Sequence, residues 1–489
     1  MPHSKRFGSR ELRHVLVAAT ALCSFPLAAF AADVPPTPEG AQSIVSALSP
    51  YLGQGAATAS PDGDHYAVTI DVQKILAPWA SLGLTAEAAP AKLSLTEQSD
   101  GFWRVAMTSY PQITFHFQGG DMSFAVDGYK FDGVYDPQIL AFSDGRLSAD
   151  KVSFRSHRQE TDQTGEYDQI SATLKGQAGA AGEYSGTVHE DIKNYKTTIV
   201  AKKTVDATAA APVFNMEFGA LALDVALENT RLRQALDLWR FMVAHPARPD
   251  LAANEDALKN LLRALLPVAD KIDESGAAQD WVIDTPKGPI KLGGAKFRIA
   301  ADKVPSKGQV EAHLAFDKIA PPPNVAPPGV QDLVPTAVDL GVKVNGVDFG
   351  AAAEEAINDL HLAGEGPVIS DIDRPKISGK LLGGGAMDIT VLPSRIVAPQ
   401  LDVTVEGAVQ VTGGKPSGKI TITAKNFDNT VTAIEGAGSL ATPQTLAGLT
   451  MAKGLGKAGA DNTTVWVVEY AVDGAIKLNG LPLGKAPPP

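Results

Sequence analysis

Between Val213 and Leu227 the chain sets apolar residues on alternate positions, first at Phe214, Met216 and Phe218 and then at Leu221, Leu223, Val225 and Leu227. Alternation of this kind is the mark of an extended strand, whose successive side chains point to opposite faces, so the chain must build a sheet with one apolar side. The phase changes at Gly219-Ala220, and one extra residue there predicts a β-bulge that returns both apolar sets to the same side. Shorter alternating runs at 65–72, 151–156, 165–174, 183–189 and 197–202 are bounded by Gly, Asp or Pro, as strands are. Further strands are predicted at 338–344, 387–392, 400–411 and 418–424.

Helices are few and amphipathic. The 3.6-residue period predicts them over 38–52, from Asn229 or Thr230 to His245-Pro246, over 350–361 and over 443–457. Another starts at Asn254, a capping residue followed by Glu255 and Asp256, and puts Leu258, Leu261, Leu262, Leu265, Ala269 and Ile272 on one stripe with a kink at Pro267. That helix leads to Trp281-Val282-Ile283, a turn at Thr285-Pro286-Lys287-Gly288, and Ile290-Lys291-Leu292-Gly293-Gly294. The order returns near the end of the chain as helix, Trp466-Val467-Val468, an Asp473-Gly474 turn and Ile476-Lys477-Leu478-Asn479-Gly480, and the strand ending recurs alone in Val342-Lys343-Val344-Asn345-Gly346. The class expected is α+β: long antiparallel sheets, a few covering helices, and a repeated helix–strand–strand unit. The chain divides into a β-rich region 32–212, a strand–helix–helix–hairpin region 213–318, a Pro-rich linker 319–335, an α+β region 336–485 and a Pro tail 486–489.

The first residues carry Lys5, Arg6, Arg10 and Arg13, then an apolar run from Val15 to Ala28 and Ala29-Phe30-Ala31. Charge, length and small exit residues are those of a secretory signal peptide cleaved after Ala31, which predicts a periplasmic protein with no membrane span left after cleavage. Cleavage removes four basic side chains and one acidic one and moves the formal charge from −12 to −15. An acidic surface of this kind keeps the protein in solution and disfavours nucleic acid, so no nucleic-acid partner is expected, because phosphates are bound mainly by Lys and Arg. The single cysteine, Cys23, leaves with the signal, so disulfides, thiolate metal sites and a cysteine nucleophile are excluded from the mature chain.

The stretch 102–154 is the most aromatic. Phe115 and Phe117 share one face of a strand, Phe124 continues it, and Tyr129 and Phe131 resume it after the Asp127-Gly128 turn. This face is either domain core or the lining of a groove for a lipid or other apolar small molecule. No catalytic, cofactor or metal residues are assigned. Gly454-Leu455-Gly456-Lys457-Ala458-Gly459 fits a dinucleotide fingerprint in letters, but a helix precedes it and a strand follows, the reverse of what that site needs. Ser148 and Lys151 have the spacing of an acylating pair but lead into a strand. The acidic clusters His189-Glu190-Asp191 and Asp371-Ile372-Asp373 read as solvated turns, and the histidines are too scattered for a zinc site.

The 476–482 ending and the 258–272 helix running into Asp284-Thr285-Pro286-Lys287-Gly288 resemble the YdgA-like bacterial envelope proteins, over roughly residues 215–485. That resemblance implies an envelope protein and carries no catalytic residues. The function expected is non-enzymatic: an envelope protein holding a lipid or apolar ligand against a sheet. A structural component that engages an envelope protein partner is the alternative, and a hydrolase a remote third.

Overall fold

The computed structural model describes residues 35–202, 213–302 and 307–485, apart from 324, 328, 365, 382–384, 414 and 438–440. The segment expected to be a signal peptide, its expected cleavage site and the Pro tail lie outside the described residues. After α1 (Pro38–Leu52) come β1 (Ala57–Asp62), β2 (His65–Ile70), α2 (Val72–Leu76), β3 (Thr85–Ala88), β4 (Ala91–Glu97), β5 (Trp103–Met107), β6 (Ile113–Phe117), β7 (Gly120–Asp127), β8 (Lys130–Asp136), β9 (Ala141–Ala149), β10 (Lys151–Arg158), β11 (Thr161–Tyr167), β12 (Gln169–Ala178) and β13 (Tyr184–Ala201). The longer strands follow: β14 (Val213–Thr230), then α3 (Leu232–Ala244), α4 (Arg248–Ala253) and α5 (Glu255–Leu265), then β15 (Lys271–Thr285), β16 (Gly288–Asp302), β17 (Gly308–Asp317) and β18 (Ala337–Val347). The chain closes with α6 (Phe349–Asn358), α7 (Arg374–Lys380), β19 (Ala386–Val397), β20 (Asp402–Thr412), β21 (Lys415–Lys425), α8 (Phe427–Glu435), α9 (Pro443–Leu455), β22 (Lys457–Ala458), β23 (Thr463–Tyr470), β24 (Ala475–Leu478) and β25 (Leu481–Lys485). The class is α+β, and the strands join into one connected antiparallel sheet.

The sheet forks at β13. Residues 184–193 of that strand pair with β12 and so with β9, β8, β5, β4, β2 and β1. Residues 196–201 pair with β11 and so with β10, β7, β6 and β3. The expected strand at 165–174 is therefore two, because the chain changes branch at Asp168. On its other side β13 pairs with β14, and β14 to β21 then continue in chain order. This meander passes straight through the Pro-rich segment, since β17 and β18 on its two sides pair with each other and Lys291 bridges Ala320.

The fork lies on a crease. By register, Asn194, Gly219, Asp280, Gly293 and Lys318 stand side by side across β13 to the end of β17. Asn194, Asp280 and Lys318 hold φ of 51°, 54° and 49°. Glycines alternate with them because a Cβ at Gly293 would stand 2.9 Å from Cβ of Lys318, and one at Gly219 would stand 3.3 Å from the Asp280 carboxylate. Every strand changes its inward set at this line, from Tyr195 to Ile192, Phe218 to Leu221, Trp281 to Ala278 and Leu292 to Ala295. The bulge expected at Gly219-Ala220 is absent: the register of β14 with both neighbours is the same before and after it. The neighbours carry the same extra residue, so no strand is offset. A bulge does occur in β19 at Leu392-Pro393, where a proline without an N–H is tolerated in a central strand, and the buried Ser394 hydroxyl ties it to Leu392 O at 2.9 Å and Gly341 N at 3.0 Å.

Helices cover the two ends of the apolar face. Thr37 caps α1 by accepting from Gly40 N at 3.0 Å, and Ala41, Ile44, Leu48 and Leu52 pack on Tyr66, Val68, Leu95 and Trp103 of the first branch. α3 docks beside it through Trp239, whose indole donates to Tyr51 O at 2.8 Å and lies 5.6 Å from the Trp79 ring. α5 then packs on α3, and α6 on α5 through Arg263 and Glu354 at 2.7 Å. At the opposite end of the strands α8 and α9 enclose Trp466, which donates to Ala452 O at 2.7 Å and meets the Phe427 ring at 4.9 Å. Two expected details differ. α5 stops at Leu265 before Pro267, so Ala269 and Ile272 leave the stripe and Ile272 joins β15; and the Asn254 side chain donates to Asp250 O at 2.9 Å and leaves the helix uncapped. The two tryptophan strands also stand in different surroundings, Trp281 at the crease deep in β15 and Trp466 under α9.

Candidate apolar binding face

Cross-strand register builds one face row by row. Leu223, Gly276, Phe297, Leu314 and Leu340 form one row across β14 to β18, and Val225, Glu274, Ile299, Ala312 and Val342 form the next. The reverse face carries Asp273, Glu311 and Lys343 in one row, and Arg298 of the adjoining row bridges Asp273 at 2.8 Å and Glu311 at 2.9 Å. The sheet therefore has a solvated side and an apolar side. The apolar side is the one that packs under α1 in the first branch, since Leu147 and Leu174 of the same rows touch that core.

In the middle of the meander the cover ends. Ile299, Leu314, Leu340 and Val342 are 47%, 40%, 42% and 37% exposed, although each sits on the apolar side and the four are neighbours on β16, β17 and β18. Single exposed apolar residues are ordinary, whereas a contiguous set on a sheet face marks a surface made to be covered. The alternation of 295–301, 310–316 and 338–344 is plain in the sequence; their exposure is not, because it depends on where the helices end up.

The aromatic face of 102–154 is placed differently. Tyr129 and Phe131 are buried in the core beneath α1, with Phe131 edge-on to Phe142 at 5.0 Å. Phe124 is buried in a second core, where Phe154, Tyr167, Tyr195 and Phe218 stack in series at the fork. Phe115 and Phe117 are half-buried, and Phe115 packs edge-on to Phe124 at 6.5 Å. Of the five residues named from the sequence, then, three are core and two flank it, and the open apolar surface lies in the meander.

Two acids stand on the apolar side. Glu190 occupies the row of Leu223 and Glu274 the row of Val225, and they are the charged side chains of that face along β12 to β18 among the described residues. Oε1 of Glu190 is buried and accepts no hydrogen bond from the described residues. Burial pushes its carboxyl up to about 7, with the neighbouring Asp191 charge adding to the rise. The flanking His189 points to the other face, bonds Asp224 at 2.7 Å and Asp191 at 3.2 Å, and is raised by that hydrogen bond to Asp224. The His189-Glu190-Asp191 cluster is thus split between two sides of a strand, not gathered at a turn. Asp371 and Asp373 each hold a cation of their own chain, Arg374 at 3.1 Å and Lys376 at 2.9 Å.

Ser148 lies in β9, and Lys151 bonds Glu166 at 2.7 Å. Gly456 ends α9, and a Cβ there would meet Thr464 at 2.3 Å. Among the described residues no group of three or more His, Cys, Asp or Glu is placed to hold a metal ion, and no helix is long and apolar enough to cross a membrane.

No curated protein and no solved structure matches the chain. Residues 241–487, which run from the end of α3 through β25 and include the whole exposed patch, match the family described as an uncharacterised protein conserved in bacteria (DUF2125). That match spans half of the chain, and the protein belongs to this family.

Proposed function

We propose that the protein is a non-enzymatic binding protein of the bacterial envelope, exported by its N-terminal segment, that holds a lipid or other apolar ligand against the open face of β16 to β18. The observation that carries this is the adjacency of Ile299, Leu314, Leu340 and Val342 on the apolar side with 37–47% exposure. Leaving such side chains in water forfeits roughly 25 cal/mol per Å² of apolar surface, and a bound hydrocarbon recovers it. The likeness of 215–485 to YdgA-like envelope proteins and the basic, apolar, small-residue order of the first 31 residues support the compartment.

The test is mass spectrometry of an organic extract from the protein purified out of a bacterial periplasm without detergent. A stoichiometric apolar molecule, lost in a folded Leu314→Ser/Leu340→Ser variant, is the expected result. An empty wild-type protein with a long-lived protein cross-link at this face supports the second reading, a structural component with a protein partner. That reading has its own observation in the terminal strand β25, where Leu481 and Leu483 are more than half exposed on a strand paired only with β24 among the described residues.

A further inference from the structure

The open face has a polar end. Counting across the row, Glu190 on β13 is followed by Leu223, Phe297, Leu314 and Leu340, so the carboxyl lies about 24 Å from the far side of the row at a strand spacing of about 4.8 Å. Gly276 falls in the gap, where the Phe297 ring and Leu223 close over it, so the apolar track is continuous. Its length is that of an extended long-chain hydrocarbon. An amphiphile lying on this track puts its head where Glu190 is or leaves its head in water beyond β18.

The chemistry at Glu190 selects between these. Oε1 is buried with no donor among the described residues, an arrangement that is unfavourable until a donor arrives. Glu274 in the adjoining row is also acidic, and no Lys, Arg or His shares the apolar side of β12 to β18 among the described residues. A carboxylate or phosphate head would meet the Glu190 carboxyl with no basic residue of that face beside it, whereas an ammonium finds an acceptor in Oε1. We propose that the face takes a phosphate-free amino lipid, with its ammonium on Glu190 and its chain across Leu223, Phe297, Leu314 and Leu340. This rests on the apolar-binding reading above and adds the class of ligand to it. The upward displacement of the Glu190 carboxyl agrees, since a cation placed beside it would draw it back down.

The experiment titrates the full chain, and its Glu190→Gln variant, with stearylamine, stearyl alcohol, stearate and lyso-phosphatidylethanolamine, reading displacement of an environment-sensitive fluorescent fatty probe. Glu190→Gln removes a charge without a change of shape and leaves the fold intact. The expected result is stearylamine at least 10-fold tighter than stearate and than lyso-phosphatidylethanolamine, with that preference lost in Glu190→Gln while stearyl alcohol changes less than 3-fold. Equal binding of all four probes, unaltered in Glu190→Gln, overturns the ammonium assignment and leaves the apolar face standing. Tighter binding of lyso-phosphatidylethanolamine than of stearylamine overturns the exclusion of phosphate. No displacement by any probe overturns the apolar-binding reading itself.

Discussion

Replacing Glu190 with Gln should change how stability depends on pH, and the direction follows from burial. The carboxyl, whose ordinary value is 4.5, is pushed up to about 7 in the folded chain. Between those values the folded protein keeps a proton that the unfolded chain has released, so raising the pH favours unfolding. The contribution is whole below about pH 4 and is lost as the pH climbs through 7. A rise of that size corresponds to about 3 kcal/mol. Gln cannot ionise, so its stability relative to wild type should be flat below about pH 4 and should rise by about 3 kcal/mol between pH 4 and pH 8. His189, raised by its bond to Asp224, is present in both proteins and cancels in the difference. Urea denaturation at half-unit steps of pH measures this directly. Parallel curves for the two proteins from pH 5 to 8 would falsify the burial of Glu190 on the apolar side.

Other perturbations separate open face from core. Phe131→Ser, in a residue 4% exposed against Phe142, should cost about 3–5 kcal/mol by chemical denaturation. Leu340→Ser, 42% exposed, should cost only about 1 kcal/mol, since much of the leucine never left water. Gly293→Ala should cost about 1–3 kcal/mol because the new methyl meets Lys318 at the crease, and adding Lys318→Gly, which removes both the contact and a residue at φ 49°, should restore most of it. Arg395→Ala breaks a pair with Asp402 at 2.6 Å on the solvated side and should leave the denaturation midpoint almost unmoved, with any difference from wild type shrinking further in high salt.

The strands were legible wherever alternation was clean. Phe214 to Leu227 reads as an extended run, and it is the middle of the 18-residue β14. What the run could not show was its company. A phase change in one strand suggests a bulge, but Asn194, Gly219, Asp280, Gly293 and Lys318 change phase together, and only the register reveals that they are aligned. The helix from Asn254 was readable to Leu265; the two stripe residues beyond it, Ala269 and Ile272, kept the period by chance after Pro267 had ended the helix. For the site, composition drew the eye to Phe115, Phe117, Phe124, Tyr129 and Phe131, since aromatic rings bury the most surface. Three of them are where such rings belong, in cores closed by α1 and by the fork. The open residues are ordinary aliphatics, and their exposure depends on the helices gathering at the ends of the strands. Glu190 and Glu274 did leave a signal: each breaks an apolar alternation, Val188-x-Glu190-x-Ile192 and Ile272-x-Glu274-x-Gly276.

The claim that β16 to β18 present a ligand-binding apolar face is tested most directly by photo-cross-linking in living cells from a photoreactive amino acid placed at Leu340, with Lys343 on the solvated side as control. Intact-mass analysis of the purified adduct should show an increment of lipid size at position 340 and none at 343. An increment of protein size at 340, or equal labelling at both positions, would contradict it.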